Sequence, residues 1–173
     1  WRPPRTLLEH VFFPVLRLGL LPQRSIGVEH EPIDVVLCAL MALPGILSVA
    51  LPFSCAPFAL RCAFCAETLV CVSASCVADG LLRHEFMWID RRTATMHVFT
   101  LFAMVAYLAK NGFMSMRWTA IVTALGVLAL SAFHRRLYYL FCVFEWRGSR
   151  FYGRIWHVLG TAAPTAAILA SCA

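Results

Sequence analysis

Apolar and polar positions fall in long alternating blocks along this chain. A helix needs about 20 mostly apolar residues to cross a bilayer. Residues 33–53, 57–79, 93–109, 118–133 and 155–172 meet or approach that length and predict five spans. Pro44 and Gly45 are placed to kink the first span, and Arg61 and Glu67 interrupt the second. The third lies between Arg91/Arg92 and Lys110, and the fourth between Arg117 and the run His134–Arg136. The segment 137–146, "LYYLFCVFEW", is too short to span at ordinary tilt. It either forms a short helix of its own or continues the preceding one. Connections are brief, so neighbouring helices are expected to pack antiparallel. "EHEP" before the first span is a good helix start, because proline fits the first turn. Upstream, "TLLEHVFFPVLRLGLLP" is amphipathic and interrupted. It is expected to lie on the membrane surface with Arg17 and Arg24 at headgroups. The pattern predicts an all-α, polytopic transmembrane helical bundle of five to seven helices over 31–173, with 1–30 as an amphipathic surface segment.

Composition agrees with that picture. Hydrophobic residues make up 61% of the 173, charged residues 14%, and the mean hydropathy is +0.75. A soluble domain has about 45–50% apolar and about 25% charged residues. The surplus must face lipid or other membrane subunits. The net charge is +6, carried by 14 arginines and one lysine, Lys110. Arginine binds phosphate headgroups and carboxylates through its planar fork, although a GC-rich coding sequence gives the same bias. The arginines sit between apolar blocks, where topology and headgroups account for them, so nucleic acid is not an expected partner. They lie on both sides of the expected spans, and sequence alone therefore sets no orientation. Most of the eight cysteines lie in or beside apolar blocks, where a free thiol behaves as a small hydrophobe. Cys62 and Cys65 form one C-x-x-C without a second pair at zinc-ribbon spacing. A start at Trp1 suggests a processed or incomplete product, with a removed targeting peptide as the accompanying expectation.

Ionisable residues within spans are costly, and each marks a candidate site. A step of four from Glu67 passes Cys71 and Ser75 to Asp79, along one helical stripe. Glu67 is expected to pair with an arginine, hydrogen-bond another subunit, or serve a site. Asp79 and Asp90 stand eleven residues apart across a helix end and a helix start. Such carboxylates can bind a metal or share a proton, while Asp90 could equally cap its helix. His97 and His157 each suit a hydrogen-bonded structural role as well as ligation, and His84 and Glu85 read as loop residues.

These positions resemble the CREST superfamily of membrane hydrolases, which includes alkaline ceramidases and the lipases that remodel GPI anchors. The family pattern is Ser-x-x-x-His on the second helix, an Asp eleven residues on, and His-x-x-x-His opening the last helix. Ser75 matches the serine, Asp90 the aspartate, and His157 the second histidine of the last motif. "EHEP" is similar to a "QEP" segment of the GPI-remodelling branch, and "WHVLGTAAPT" to that branch's last helix. Glu145, in "FEW", is similar to an acidic residue that precedes it. The likeness covers roughly residues 27–170 and rests on few positions. It implies a helical bundle with a zinc held by three histidines, and with the serine and aspartate completing the site.

Two of the three ligand positions depart from the family. Asp79 stands at the first histidine and Gly153 at the second. Aspartate can ligate zinc; glycine has no side chain to do so. A catalytic zinc has three protein ligands and an open water position, so Asp79 and His157 would need Glu67 or His97 as a third. Arg154 would add positive charge beside the site. Zinc lowers the pKa of water from about 15.7 to about 7. Without it, Ser75 and Asp90 have no comparable route to a nucleophile.

The expectation is therefore a non-catalytic, hydrolase-like integral membrane protein without a cofactor. It would act as an accessory subunit beside other membrane subunits and lipids, for example in an organellar respiratory complex of the mitochondrial inner membrane. The alternative is a metal-dependent lipid amidase or esterase of an endomembrane, with zinc on Asp79 and His157. A third possibility is haem held between two of His97, His134 and His157.

Overall fold

The computed structural model describes residues 31–51, 56–76, 87–139, 143 and 145–171. Every regular element among them is a helix: α1 (Pro32–Leu40), α2 (Ala42–Ala50), α3 (Phe58–Ser75), α4 (Met87–Lys110), α5 (Met116–Tyr138) and α6 (Trp146–Ala170). The all-α expectation holds. The segment 1–30 lies outside the described residues, as does most of 140–144.

Pro32 sits in the first turn of α1, where its missing N–H costs nothing. The expected kink in the first span is a break at Met41, between α1 and α2. Pro44 explains its position. A proline ring clashes with the carbonyl four residues back and donates no hydrogen bond to it, and that carbonyl belongs to Leu40. Met41 N–H turns to Cys38 O instead, at 3.2 Å.

Between α4 and α5 the chain reverses at Gly112, with φ +73°. Phe113 N–H reaches Leu108 O at 2.9 Å and Gly112 N–H reaches Ala109 O at 3.1 Å. This is a Schellman closure, and glycine is favoured where it requires a left-handed backbone. Ser115 then caps α5, its side chain accepting from Trp118 N–H.

Long-range contacts fix the arrangement. Gly45 faces Thr68 and Ser48 faces Arg61, so α2 and α3 run antiparallel. Phe133 packs on Trp156 and Tyr139 stacks on Tyr152, so α5 and α6 are antiparallel too. Glu31 with Arg154, Cys38 with His157 and Met41 with Gly160 set α1 parallel to α6. Two buried apolar clusters fill the interior. One surrounds Phe64, Leu108, Val122 and Ile168. The other surrounds Met41, Val72, Phe133 and Trp156.

Large apolar side chains also point outward on every helix, among them Val36, Ile46, Val70, Phe99, Leu128 and Val158. A helix that is apolar on its outer face as well suits lipid rather than water. Four stretches are long and apolar enough to cross a membrane: Pro32–Ala50, Phe58–Ser75, Arg92–Lys110 and Met116–Tyr138. Residues 155–170 of the fifth expected span lie in α6, which begins nine residues before 155 and is not among the four. Arg147, Arg150, Arg154 and His157 lower the hydropathy of its first half.

Candidate functional site

The stripe on α3 meets α4 along an antiparallel seam. Glu67, Cys71 and Ser75 follow one another at four-residue steps and so share a face. His97, Thr93 and Asp90 oppose them in reverse order. At one end Ser75 Oγ donates to Asp90 Oδ1 at 2.5 Å, with both residues buried. In the middle Cys71 lies against the Thr93 hydroxyl. That hydroxyl directs its own proton to the carbonyls of Ile89 and Asp90, which leaves an oxygen lone pair for the thiol. At the other end His97 Nδ1 lies 3.0 Å from Glu67 Oε2, and the Phe64 ring stacks on the imidazole.

Helix interiors this apolar tolerate such groups only when paired. The three rungs do that pairing for one another, incompletely at the last. Among the described residues, His97 Nε2 and Glu67 Oε1 are buried without a hydrogen-bond partner.

Across the bundle, His157 of α6 lies beside Cys38 of α1, with Sγ 3.6 Å from Nε2 and 3.8 Å from Nδ1. One turn earlier on α6 is Gly153. A Cβ there would lie 3.3 Å from both Cδ and Nε of Arg136, which reaches in from α5 and is buried. A side chain at 153 would thus press on the arginine stem, which would have to give by a few tenths of an ångström.

At the start of α1, Glu31 and Asp34 meet Arg150 and Arg154 of α6. Arg154 Nε donates to Asp34 Oδ1 at 2.6 Å, and both arginines also bond Glu31. The Arg154 hydrogen bond holds the Glu31 carboxyl below its usual value, with the Arg150 and Arg154 charges adding to it. Asp34 and Glu31 in turn raise Arg154 above the usual guanidinium value. A half-buried arginine does structural work at the far end of α2. Arg61 Nη2 donates to Val49 O at 2.8 Å and to Leu51 O at 2.5 Å, while its Nε bonds Ser48 O. These carbonyls belong to a helix end that has no intrahelical donors left.

The predicted positions therefore sort clearly. Ser75 and Asp90 come together; Asp90 bonds a serine instead of merely capping its helix. Among the described residues Glu67 pairs with His97 and not with an arginine; the contact uses Nδ1 of the ring and Oε2 of the carboxylate and leaves Nε2 and Oε1 without a partner. Arg154 does not charge the site, because two carboxylates hold it. Glu145 stands at the N-cap of α6 and makes no side-chain capping bond. Asp79 lies outside the described residues. Among those described, no three His, Cys, Asp or Glu side chains gather where they could hold a metal. Gly153 offers no ligand and Arg136 fills its place with a cation, so the described residues do not fit a three-histidine zinc site. The sequence marked Arg61, Arg136 and Arg154 as an interruption, a span boundary and an added charge but not their partners, and it did not single out the Glu31/Asp34–Arg150/Arg154 cluster. The last had a signal: acids three apart and arginines four apart, each pair on one helical face.

No protein-family model, curated protein or solved structure matches this chain.

Proposed function

We propose that this chain is a non-catalytic integral membrane protein that keeps a hydrolase-like Ser–Asp frame and serves as an accessory subunit of a larger membrane complex. One observation carries the non-catalytic part: the Arg136 side chain occupies the space beside Gly153. A guanidinium stays charged at any working pH and repels a divalent cation. Among the described residues Ser75 has a carboxylate partner, which accepts its proton in a hydrogen bond but provides no water-activating metal. The apolar side chains on the outer faces of all six helices support the membrane part and offer area for helix contacts with other subunits.

The test is isolation in mild detergent at native mass, with metal content measured on the same sample. Co-purification with other membrane subunits and zinc well below one per chain is the expected result. A monomer without partners overturns the accessory role.

The intact Ser75–Asp90 hydrogen bond favours one rival, a lipid amidase or esterase of the membrane. Stoichiometric zinc together with hydrolysis of a ceramide or an acylglycerol would establish it.

A further inference from the structure

The antiparallel packing sorts the cationic residues between the two ends of the bundle in a way that the linear order hides. One end gathers the start of α1, the end of α3, the start of α4, the end of α5 and the start of α6. It is tied together by Ser75–Asp90, by Glu31 and Asp34 with Arg150 and Arg154, and by Tyr139 on Tyr152. The opposite end holds Leu51, the start of α3 and the Gly112 turn. Arg91, Arg92, Arg135, Arg136, Arg147, Arg150 and Arg154 all belong to the first end. Among the described residues the second has Arg61, Lys110 and Arg117. Setting aside Arg61, which bonds the carbonyls of α2, and Arg150 and Arg154, which bond Glu31 and Asp34, the first end still holds Arg91, Arg92, Arg135, Arg136 and Arg147 against Lys110 and Arg117 at the second.

Lys and Arg near span ends set orientation, because they resist translocation and are held at the negatively charged leaflet; acidic residues contribute little to that bias. Of the described acids at the first end, Glu31 and Asp34 bond Arg150 and Arg154, Asp90 bonds Ser75, and Glu145 is exposed at the start of α6.

We infer that the bundle sits with the Ser75–Asp90 end against the anionic leaflet of the compartment from which it is inserted, with the Gly112 turn on the opposite side. The buried Ser75–Asp90 end of the polar seam then lies on the cytosolic side, or on the matrix side in an organelle. This inference rests on the integral-membrane reading above.

Single cysteines at two exposed positions test it: Asn111→Cys beside the turn and Glu145→Cys before α6. Sealed vesicles of known sidedness are treated with a membrane-impermeant maleimide. Labelling is read peptide by peptide by mass spectrometry, so the native cysteines do not interfere. The expected result is labelling of position 145 only from the insertion side and of position 111 only from the other. The reverse pattern, or both positions labelled from both sides, overturns the orientation. Extraction by alkaline carbonate is run on the same membranes; release of the chain there would overturn the integral reading itself. As a second measurement, Arg135→Gln with Arg147→Gln and two arginines inserted beside Gly112 should raise the inverted fraction several-fold. No change in that fraction counts against the charge argument.

Discussion

Gly153 and Arg136 share one space: a Cβ on the glycine would lie 3.3 Å from the Cδ and Nε of the arginine. Restoring a histidine there meets a buried cation instead of an open pocket. Gly153→His should destabilise the bundle by about 1–3 kcal/mol, the usual cost of overpacking. Gly153→Ala should cost less. Thermal unfolding in detergent, with and without added zinc, measures both. A rise in melting temperature with zinc for Gly153→His would show that the arginine yields to a metal.

Ser75 and Asp90 form a buried pair, and removing the donor leaves a buried carboxylate oxygen without that bond. Ser75→Ala should cost about 1–3 kcal/mol, as for other stranded buried acceptors. Adding Asp90→Ala to it should cost little more than Asp90→Ala alone, because the partner is already lost. A double-mutant cycle by chemical unfolding in micelles gives the coupling. Full additivity would mean that the hydrogen bond does not form in the membrane-embedded protein.

The Glu67–His97 contact lies deeper. Polar pairs between membrane helices couple by about 0.6 kcal/mol on average and up to about 1.7. Glu67→Gln keeps an acceptor for His97 and should be mild, whereas Glu67→Ala strands the ring and should be worse. The same cycle with His97→Ala should fall within that range. Equal effects of Gln and Ala at 67 would mean that the imidazole has another partner.

Acid should loosen the contact between α1 and α6. The folded-state value of Glu31 lies below its ordinary 4.5, chiefly through the Arg154 hydrogen bond. A carboxyl lowered in this way contributes stability that is fully present above its unfolded value. That contribution is lost as pH falls through the folded value. The melting temperature should therefore be flat from neutral pH down to about 5 and then fall, since unfolded carboxyls titrate near 4. Glu31→Gln should reduce the acid-induced fall. An unchanged acid limb would remove Glu31 from the account.

Much of the fold was legible in the order of residues because its causes are local. Apolar block length predicted the helices, and Pro44 predicted the break in the first block, which the structure places three residues earlier at Met41. The four-step stripe through Glu67, Cys71 and Ser75 is a property of one helix and was visible as such. The juxtaposition of Ser75 and Asp90 came from a resemblance in spacing, and the antiparallel packing of α3 on α4 provides the physical reason for it.

What the sequence by itself determined is helix content, the approximate bounds of the apolar helices and which polar residues share a face, since backbone periodicity and burial length govern these. Only tertiary structure decided the partners. The sequence left the partner of Glu67 open; within the chain it meets His97 because the α3–α4 register puts that residue opposite. The sequence read Arg154 as added charge beside the site; it turns to Glu31 and Asp34 because α1 packs parallel to α6. Arg136 sits 17 residues from Gly153 in the chain, and no local pattern links them. Side-chain pairing across a bundle depends on helix register and direction, and each of those is settled by all the helix contacts at once.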